Sequence, residues 1–275
     1  MKKFIKVLLA TVVFGSLSSI SVFAEDKEDF SGQTVSIGVA SEYEEEVWKS
    51  VADRATEEEG IKIKLVLFSD YVQPNISLSD GSIDLNAFQH VEFLNEWNQE
   101  NKGDLVSIGY TYVAPLKVYS EKITSLDQLK EGDKIAIPND ATNGGRALLA
   151  LEQAGIIEVD DEAGVLPEVS DITENELKLI FEELDAAQLV PSLPDVAAAV
   201  INNNFANDAG LEEDKVIFND AEDIEKLPDS YKNIIASRAE DSKNPLYLKI
   251  VELYQSEQTS KKLAEISKGS DLPAW

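Results

Sequence analysis

Between residues 34 and 68 the apolar residues change their spacing twice, and this limits the possible folds more than any other feature of the chain. Residues 34–39 (TVSIGV) are β-branched and apolar and read as a buried strand. Tyr43, Val47, Trp48, Val51, Ala52 and Ala55 then recur at helical spacing, and Gly60 ends that helix. Residues 61–68 return to a strand pattern. A β–α–β opening of this kind predicts an α/β fold with a largely parallel sheet covered by helices.

The alternation continues along the chain. Asp84 and Leu85 end another strand, and Val91, Leu94 and Trp97 mark a helix. Residues 105–119 read as extended, 125–129 as a short helix and 134–137 as a strand. Residues 138–143 read as a loop and 146–153 as a helix stopped by Gly155. Strands follow at 177–184, 200–201 and 233–237, with a short helix at 194–199 and terminal helices at 245–255 and 260–267. No fixed-period repeat and no low-complexity linker cuts the chain into sequential domains. Two lobes joined by crossing strands fit that absence, with the crossings near residues 113–118 and 222–232.

The first 24 residues stand apart. Lys2, Lys3 and Lys6 precede an apolar stretch, and Val22 and Ala24 put small residues at the minus-three and minus-one positions of a cleavage site. This is the pattern of a secretory signal peptide. A membrane anchor is the ordinary alternative, but Gly15 and four serines weaken the apolar run and a charged segment follows. Residues 25–30 form an acidic linker. The expected location is extracytoplasmic: extracellular, cell-surface or periplasmic. The sequence has no cysteine, which removes disulfides, thiolate chemistry and a lipid-bearing cysteine at the cleavage site.

The signal segment holds three of the 24 basic residues and none of the 52 acidic ones, which leaves 21 against 52. Such a surface repels phosphate backbones, so nucleic acid is excluded as a partner, and a soluble monomer is expected. One histidine and no cysteine fall short of a metal site, and no EF-hand loop is present. Gly144-Gly145 lacks the spacing and the lysine of a phosphate-binding loop. No serine sits in a nucleophile elbow. No catalytic residue, cofactor or metal is predicted.

Several phrases carry a more specific signal. Asp70-Tyr71-Val72-Gln73-Pro74-Asn75 is followed by Asn86-Ala87-Phe88-Gln89-His90. The stretch from Pro138 to Leu148 (PNDATNGGRAL) precedes Glu183-Leu184-Asp185-Ala186-Ala187-Gln188-Leu189 and Ser192-Leu193-Pro194-Asp195-Val196. Val200-Ile201-Asn202, Tyr231-Lys232-Asn233-Ile234-Ile235 and a terminal Pro273-Ala274-Trp275 complete the series. In order and spacing these phrases resemble the methionine-binding lipoprotein family of ABC importers, the NlpA type, across nearly all of residues 31–275. The resemblance implies a two-lobed fold like that of class II periplasmic binding proteins, with a mixed sheet flanked by helices in each lobe and the ligand in the cleft between them. Residues 31–115 and 225–275 would form lobe 1 and residues 116–224 lobe 2. It implies a non-enzymatic protein that captures an amino acid, L-methionine first, and delivers it to a membrane ABC permease. Another amino acid, a short methionine-containing peptide, or a surface adhesin with a vestigial cleft are the alternatives.

The matching ligand positions are Tyr71, Phe88, His90, Arg146, Asn202 and Asn233, with Tyr112 and Tyr119 as secondary candidates near the cleft. A zwitterion needs a cation for its carboxylate, acceptors for its ammonium and an apolar wall for its tail. Arg146 is one of three arginines. Thr142 and Asn143 read as caps that put it in the first turn of its helix, where backbone N–H groups also favour an anion. The bland alternative pairs it with a surface acid. His90 is the sole histidine, able to donate or accept; otherwise it caps a helix start. Phe88 and Tyr71 could receive a thioether, and Asn202 and Asn233 offer carboxamides where turn formers are more usual. Trp48, Trp97 and Phe93 are assigned to packing.

Two departures from the family concern the cleft. The Pro-Gly-Pro-His type of turn that usually follows the first strand is replaced by Ala40-Ser41-Glu42-Tyr43, near the cleft mouth. Phe205 stands where the family often has tyrosine.

Overall fold

A computed structural model describes residues 28–221 and 227–275. The predicted signal segment and residues 222–226 of the second predicted crossing lie outside the described residues. The first helix shows how local chemistry sets the elements. After strand β1 (Thr34–Val39), Ser41 adopts an extended backbone and its hydroxyl accepts from Glu44 N–H. That N-cap starts helix α1 (Glu42–Glu59), with Glu42, Glu44 and Glu45 in the first turn where the helix dipole favours them. Gly60 ends it in the left-handed conformation, φ 68°.

The chain then runs through β2 (Lys62–Leu67), α2 (Gln73–Ser79), β3 (Leu85–Asn86), α3 (Val91–Asn101) and β4 (Leu105–Tyr110). It leaves the first sheet through β5 (Tyr112–Val113) and enters a second one at β6 (Lys117–Tyr119). The second half comprises β7 (Lys134–Pro138), α4 (Ala141–Gln153), β8 (Glu158–Val159), β9 (Ile172–Glu174), β10 (Ile180–Leu184), α5 (Ala186–Ser192), β11 (Ala198–Ile201), α6 (Asn203–Asp208) and β12 (Val216–Asn219). The chain returns as β13 (Ile234–Arg238) and finishes with α7 (Pro245–Tyr254), α8 (Glu257–Ile266) and β14 (Leu272–Pro273).

The two five-stranded sheets share one plan. Their orders are β2-β1-β3-β13-β4 and β10-β7-β11-β6-β12. In the first, β1 runs parallel to β2 and β3, and β13 is antiparallel to β3 and β4. In the second, β7 runs parallel to β10 and β11, and β6 is antiparallel to β11 and β12. The fourth strand of each sheet is thus the one that has just arrived from the other. The fold is α/β and two-lobed, and each sheet is mixed rather than purely parallel.

Each sheet buries both faces. Val35, Ile37 and Val39 pack with Val47, Trp48 and Val51 of α1 and with Ile250 and Tyr254 of α7. Leu78, Ile83, Leu94 and Ile234 fill the opposite face. In the second lobe Ile135, Ile137 and Val200 pack with Leu148 and Leu151 of α4, while Ala199 and Ile201 face Leu189 of α5 and Ala206 of α6. Burial at roughly 25 cal/mol per Å² of apolar surface is the main force holding each lobe.

Two sequence expectations are corrected. The predicted helix at 194–199 is a turn leading into β11, and the helix lies earlier, at α5. Asp185 caps it by accepting from Ala187 N–H at 2.9 Å, and Pro191 lies inside it. Helix α4 begins at Ala141, not near Arg146, with Asp140 as its N-cap in place of Thr142 or Asn143. Gly144 and Gly145 are helical because close packing demands them. A Cβ on Gly144 would lie 2.8 Å from the Pro138 carbonyl oxygen, and one on Gly145 would lie 3.0 Å from Leu166 Cα.

Candidate functional site

The first lobe presents an aromatic wall. Asp70 accepts from the N–H groups of Val72 and Gln73, both at 2.8 Å, in a tight turn that projects Tyr71. Phe88, Gln89 and His90 follow β3 on the short link to α3. Behind them Asn75, Asn86 and Gln89 form a buried carboxamide cluster, with bonds of 2.7–3.0 Å. It fixes the link from within, since every polar group buried there must find a partner. Tyr71 lies 5.7 Å from Phe88, 6.0 Å from Phe93 and 5.0 Å from Phe205, ring centre to ring centre. Phe93, assigned to packing from sequence, belongs to this wall.

His90 is the N-cap of α3, and its Nδ1 accepts from Phe93 N–H at 3.1 Å. The bland reading of this residue is therefore realised, and it has a consequence. A ring nitrogen that accepts carries no proton, so the neutral imidazole holds its proton on Nε2. Nε2 faces the second lobe, 3.4 Å from Asn143 Oδ1. Burial, aided by the charge of Arg146, lowers the His90 pKa to about 3. The ring is thus a neutral Nε2–H donor at physiological pH.

The second lobe supplies polar groups from α4 and α6. Asn143 Oδ1 accepts from Asn202 Nδ2 at 2.8 Å, and Asn143 Nδ2 donates to the Asp140 carboxylate at 3.0 and 3.1 Å. Burial raises the Asp140 pKa, against the hydrogen bonds it accepts. Asn204 Oδ1 accepts from Tyr71 OH at 2.6 Å, a bond between the lobes. Asn202 Oδ1 and Asn204 Nδ2 are buried without a hydrogen-bond partner among the described residues. Each such group costs on the order of 1–3 kcal/mol if nothing pairs with it.

Arg146 stands in the second turn of α4, one turn later than the sequence suggests, because the helix starts at Ala141. The dipole argument weakens accordingly, since that field falls off within the first turn. Its Nε donates to Asp220 Oδ2 at 2.7 Å and its Nη2 to the Ala114 carbonyl at 3.2 Å. The guanidinium lies over the Tyr231 ring, 4.3 Å from Cζ to the ring centre. Arg146 does pair with an acid, but a buried one.

These groups line one cavity between the lobes. Tyr71, Phe88, His90, Tyr112, Arg146, Asn202 and Asn233 all face it, joined by Phe93, Asn143, Asn204 and Tyr231, which sequence reasoning passed over. The Tyr71–Asn204 bond joins the two lobes at its wall. The Tyr112 hydroxyl points to α1, where it donates to Glu44 Oε1 at 2.9 Å. Tyr119 is corrected: it is not at the cavity. Its strand has by then entered the second sheet, paired with Ala199 and Val216, and the ring packs against the α5 and α6 side.

The replaced turn holds the lobes together at another point. Asp208, at the end of α6, accepts from Glu42 N–H at 2.9 Å and Tyr43 N–H at 2.7 Å. A carboxylate of the second lobe thus caps the first turn of α1. Tyr43 OH donates to Asp271 at 2.5 Å, and Asp271 also accepts from Asn203.

Residues 35–275 match the NlpA lipoprotein family. A probable D-methionine-binding lipoprotein of Vibrio cholerae is 37% identical over 275 residues, covering 100% of both chains. The crystal structure of a methionine-binding protein superposes with a TM-score of 0.83 at 37% identity, covering 88% of this chain and 98% of that one. A Burkholderia cenocepacia nutrient-binding protein bound to methionine gives a TM-score of 0.82 at 42% identity, covering 88% and 100%. With a match this long and identity this high, the chain belongs to the NlpA lipoprotein family.

Proposed function

We propose that this protein is the extracytoplasmic solute-binding component of an ABC importer, that it binds methionine between its lobes, and that it acts without catalysis. The observation that carries the reading is one cavity holding a cation, unpaired donors and acceptors, and an aromatic wall. Arg146 and the His90 Nε2–H meet the ligand carboxylate, with the Asn204 amide beside them. Asn202 Oδ1 and the Asn233 carboxamide accept from the ammonium. Tyr71, Phe88 and Phe93 surround the thioether, each sulfur–aromatic contact contributing about 0.3–1.5 kcal/mol. The relatives named for methionine support the same ligand.

The lobe boundaries we propose are 31–115 with 225–275, and 116–224. Ligand binding favours the closed arrangement because only there do both lobes touch the same molecule. The closed form docks on the permease, whose ATPase supplies the energy. The signal pattern at residues 1–24 supports export.

Isothermal titration of refolded, ligand-stripped protein with L- and D-methionine tests the reading. One-to-one binding, weakened at least about 30-fold in Arg146→Ala, is expected, since truncating one partner of a buried charge pair costs roughly 2–5 kcal/mol. Absence of binding to both enantiomers, with no rise in thermal midpoint, rejects methionine as the ligand.

A further inference from the structure

Arg146 is the cation of the site, yet none of the groups that hold it belongs to its own helix. Asp220 follows β12 on the segment that returns to the first lobe, Ala114 lies on the outward crossing, and Tyr231 lies on the return. Asp220 does more than pair with the guanidinium. Its Oδ1 accepts from Leu116 N–H at 2.8 Å, and its own N–H donates to the Leu116 carbonyl at 3.1 Å. One carboxylate thus joins the outgoing crossing, the returning segment and the cation. Both side chains of the ion pair are 7% exposed, so water does little to screen or replace the contact.

The donor inventory shows what this does for the ligand. A guanidinium has five N–H groups in a rigid planar fork. Asp220 takes the Nε–H and Ala114 takes one hydrogen of Nη2. Both hydrogens of Nη1 and the second one of Nη2 remain for a carboxylate. Without Asp220 the long side chain regains its rotamers, and those N–H groups are no longer aimed.

We infer that Asp220 is a positioning residue for ligand recognition: it locks the Arg146 fork so that its remaining N–H groups meet the ligand carboxylate. This rests on the methionine reading above. The test compares L-methionine with L-methionine amide, which lacks the carboxylate, in wild type, Asp220→Ala and Asp220→Asn. Wild type favours methionine over the amide. Asp220→Ala lowers that preference at least about tenfold, and adding Asp220→Ala to Arg146→Ala lowers it no further. Asp220→Asn keeps one acceptor oxygen where two are used, so its preference falls between wild type and Asp220→Ala. A variant that merely loosens the fold weakens both ligands alike and leaves the ratio unchanged. Should Asp220→Ala fail to fold, Asp220→Asn decides alone. An unchanged ratio in either folded variant overturns the inference while leaving methionine binding intact. Wild type that binds neither compound overturns the methionine reading and this inference with it.

Discussion

Replacing Asp208 with alanine probes the contact between α6 and the first turn of α1. The carboxylate accepts from the first two N–H groups of that helix, at 2.9 and 2.7 Å, while Ser41 serves the third. In the separated state water solvates the two N–H groups, so each lobe keeps its stability. What is lost is the preference for closure. Two hydrogen bonds at a net ~0.5–1.5 kcal/mol each give roughly 1–3 kcal/mol. Asp208 is exposed, and solvent screening reduces this to about 1–2 kcal/mol. That is roughly a 5–30-fold change in the ratio of closed to open forms. Because ligand binds the closed form, the apparent dissociation constant for methionine rises by the same factor where the open form predominates without ligand. Calorimetric titration measures it, with circular dichroism confirming an unchanged fold. Affinity within twofold of wild type would refute the argument and show that closure does not draw on this cap.

Three further outcomes follow from the structure. Burial pushes the Glu44 carboxyl up to about 8 from an ordinary 4.5, although Ala40 N–H and Tyr112 OH donate to it. A raised carboxyl stabilises the fold fully below about 4.5 and loses that stabilisation as pH rises to about 8. Asp271, raised by burial to about 6, acts the same way at lower pH, whereas His90, lowered to about 3, destabilises only as pH falls below 6.5. Between pH 6.5 and 8 the thermal midpoint of wild type should therefore decline, and Glu44→Gln should flatten the decline; an equal slope in both would contradict the burial argument. The single histidine makes the second test direct: its NMR signals should show the Nε2–H tautomer and no titration above pH 5, and a midpoint near 6.5 would mean that the ring is hydrated. Gly144→Ala gains ~1 kcal/mol of helix propensity but forces a Cβ to within 2.8 Å of the Pro138 oxygen. Overpacking of this kind costs about 1–3 kcal/mol, so the thermal midpoint should fall by a few degrees, and a rise would show that β7 and α4 can separate freely.

Much of the fold was legible because it depends on neighbours in the chain. Strand β1 and helix α1 follow from apolar spacing, the Ser41 cap and Gly60, all within 27 residues of one another. The start of α4 was misplaced because Gly144-Gly145 looks like a loop locally. Only the approach of Pro138 and Leu166 makes glycine the residue that a helix needs there. Pro194 misled for a similar reason: it reads locally as a helix start, whereas the helix begins upstream, where Asp185 caps it.

The site divides along the same line. Arg146 and His90 stood out from composition alone, as one of three arginines and the sole histidine. The resemblance brought in Tyr71, Phe88, Asn202 and Asn233. Nothing local marked Asp220, one acid among 52, whose partner Arg146 lies 74 positions away. Asn143 read as a cap and Phe93 as packing, and both face the cavity. By itself the sequence determined most of the elements and the chemistry available, since propensity, capping and charge are local properties, and the resemblance implied the kind of ligand. Which side chains converge, and which hydrogen-bonding groups they leave for a ligand, was decided only when the crossing segments brought distant residues within bonding distance.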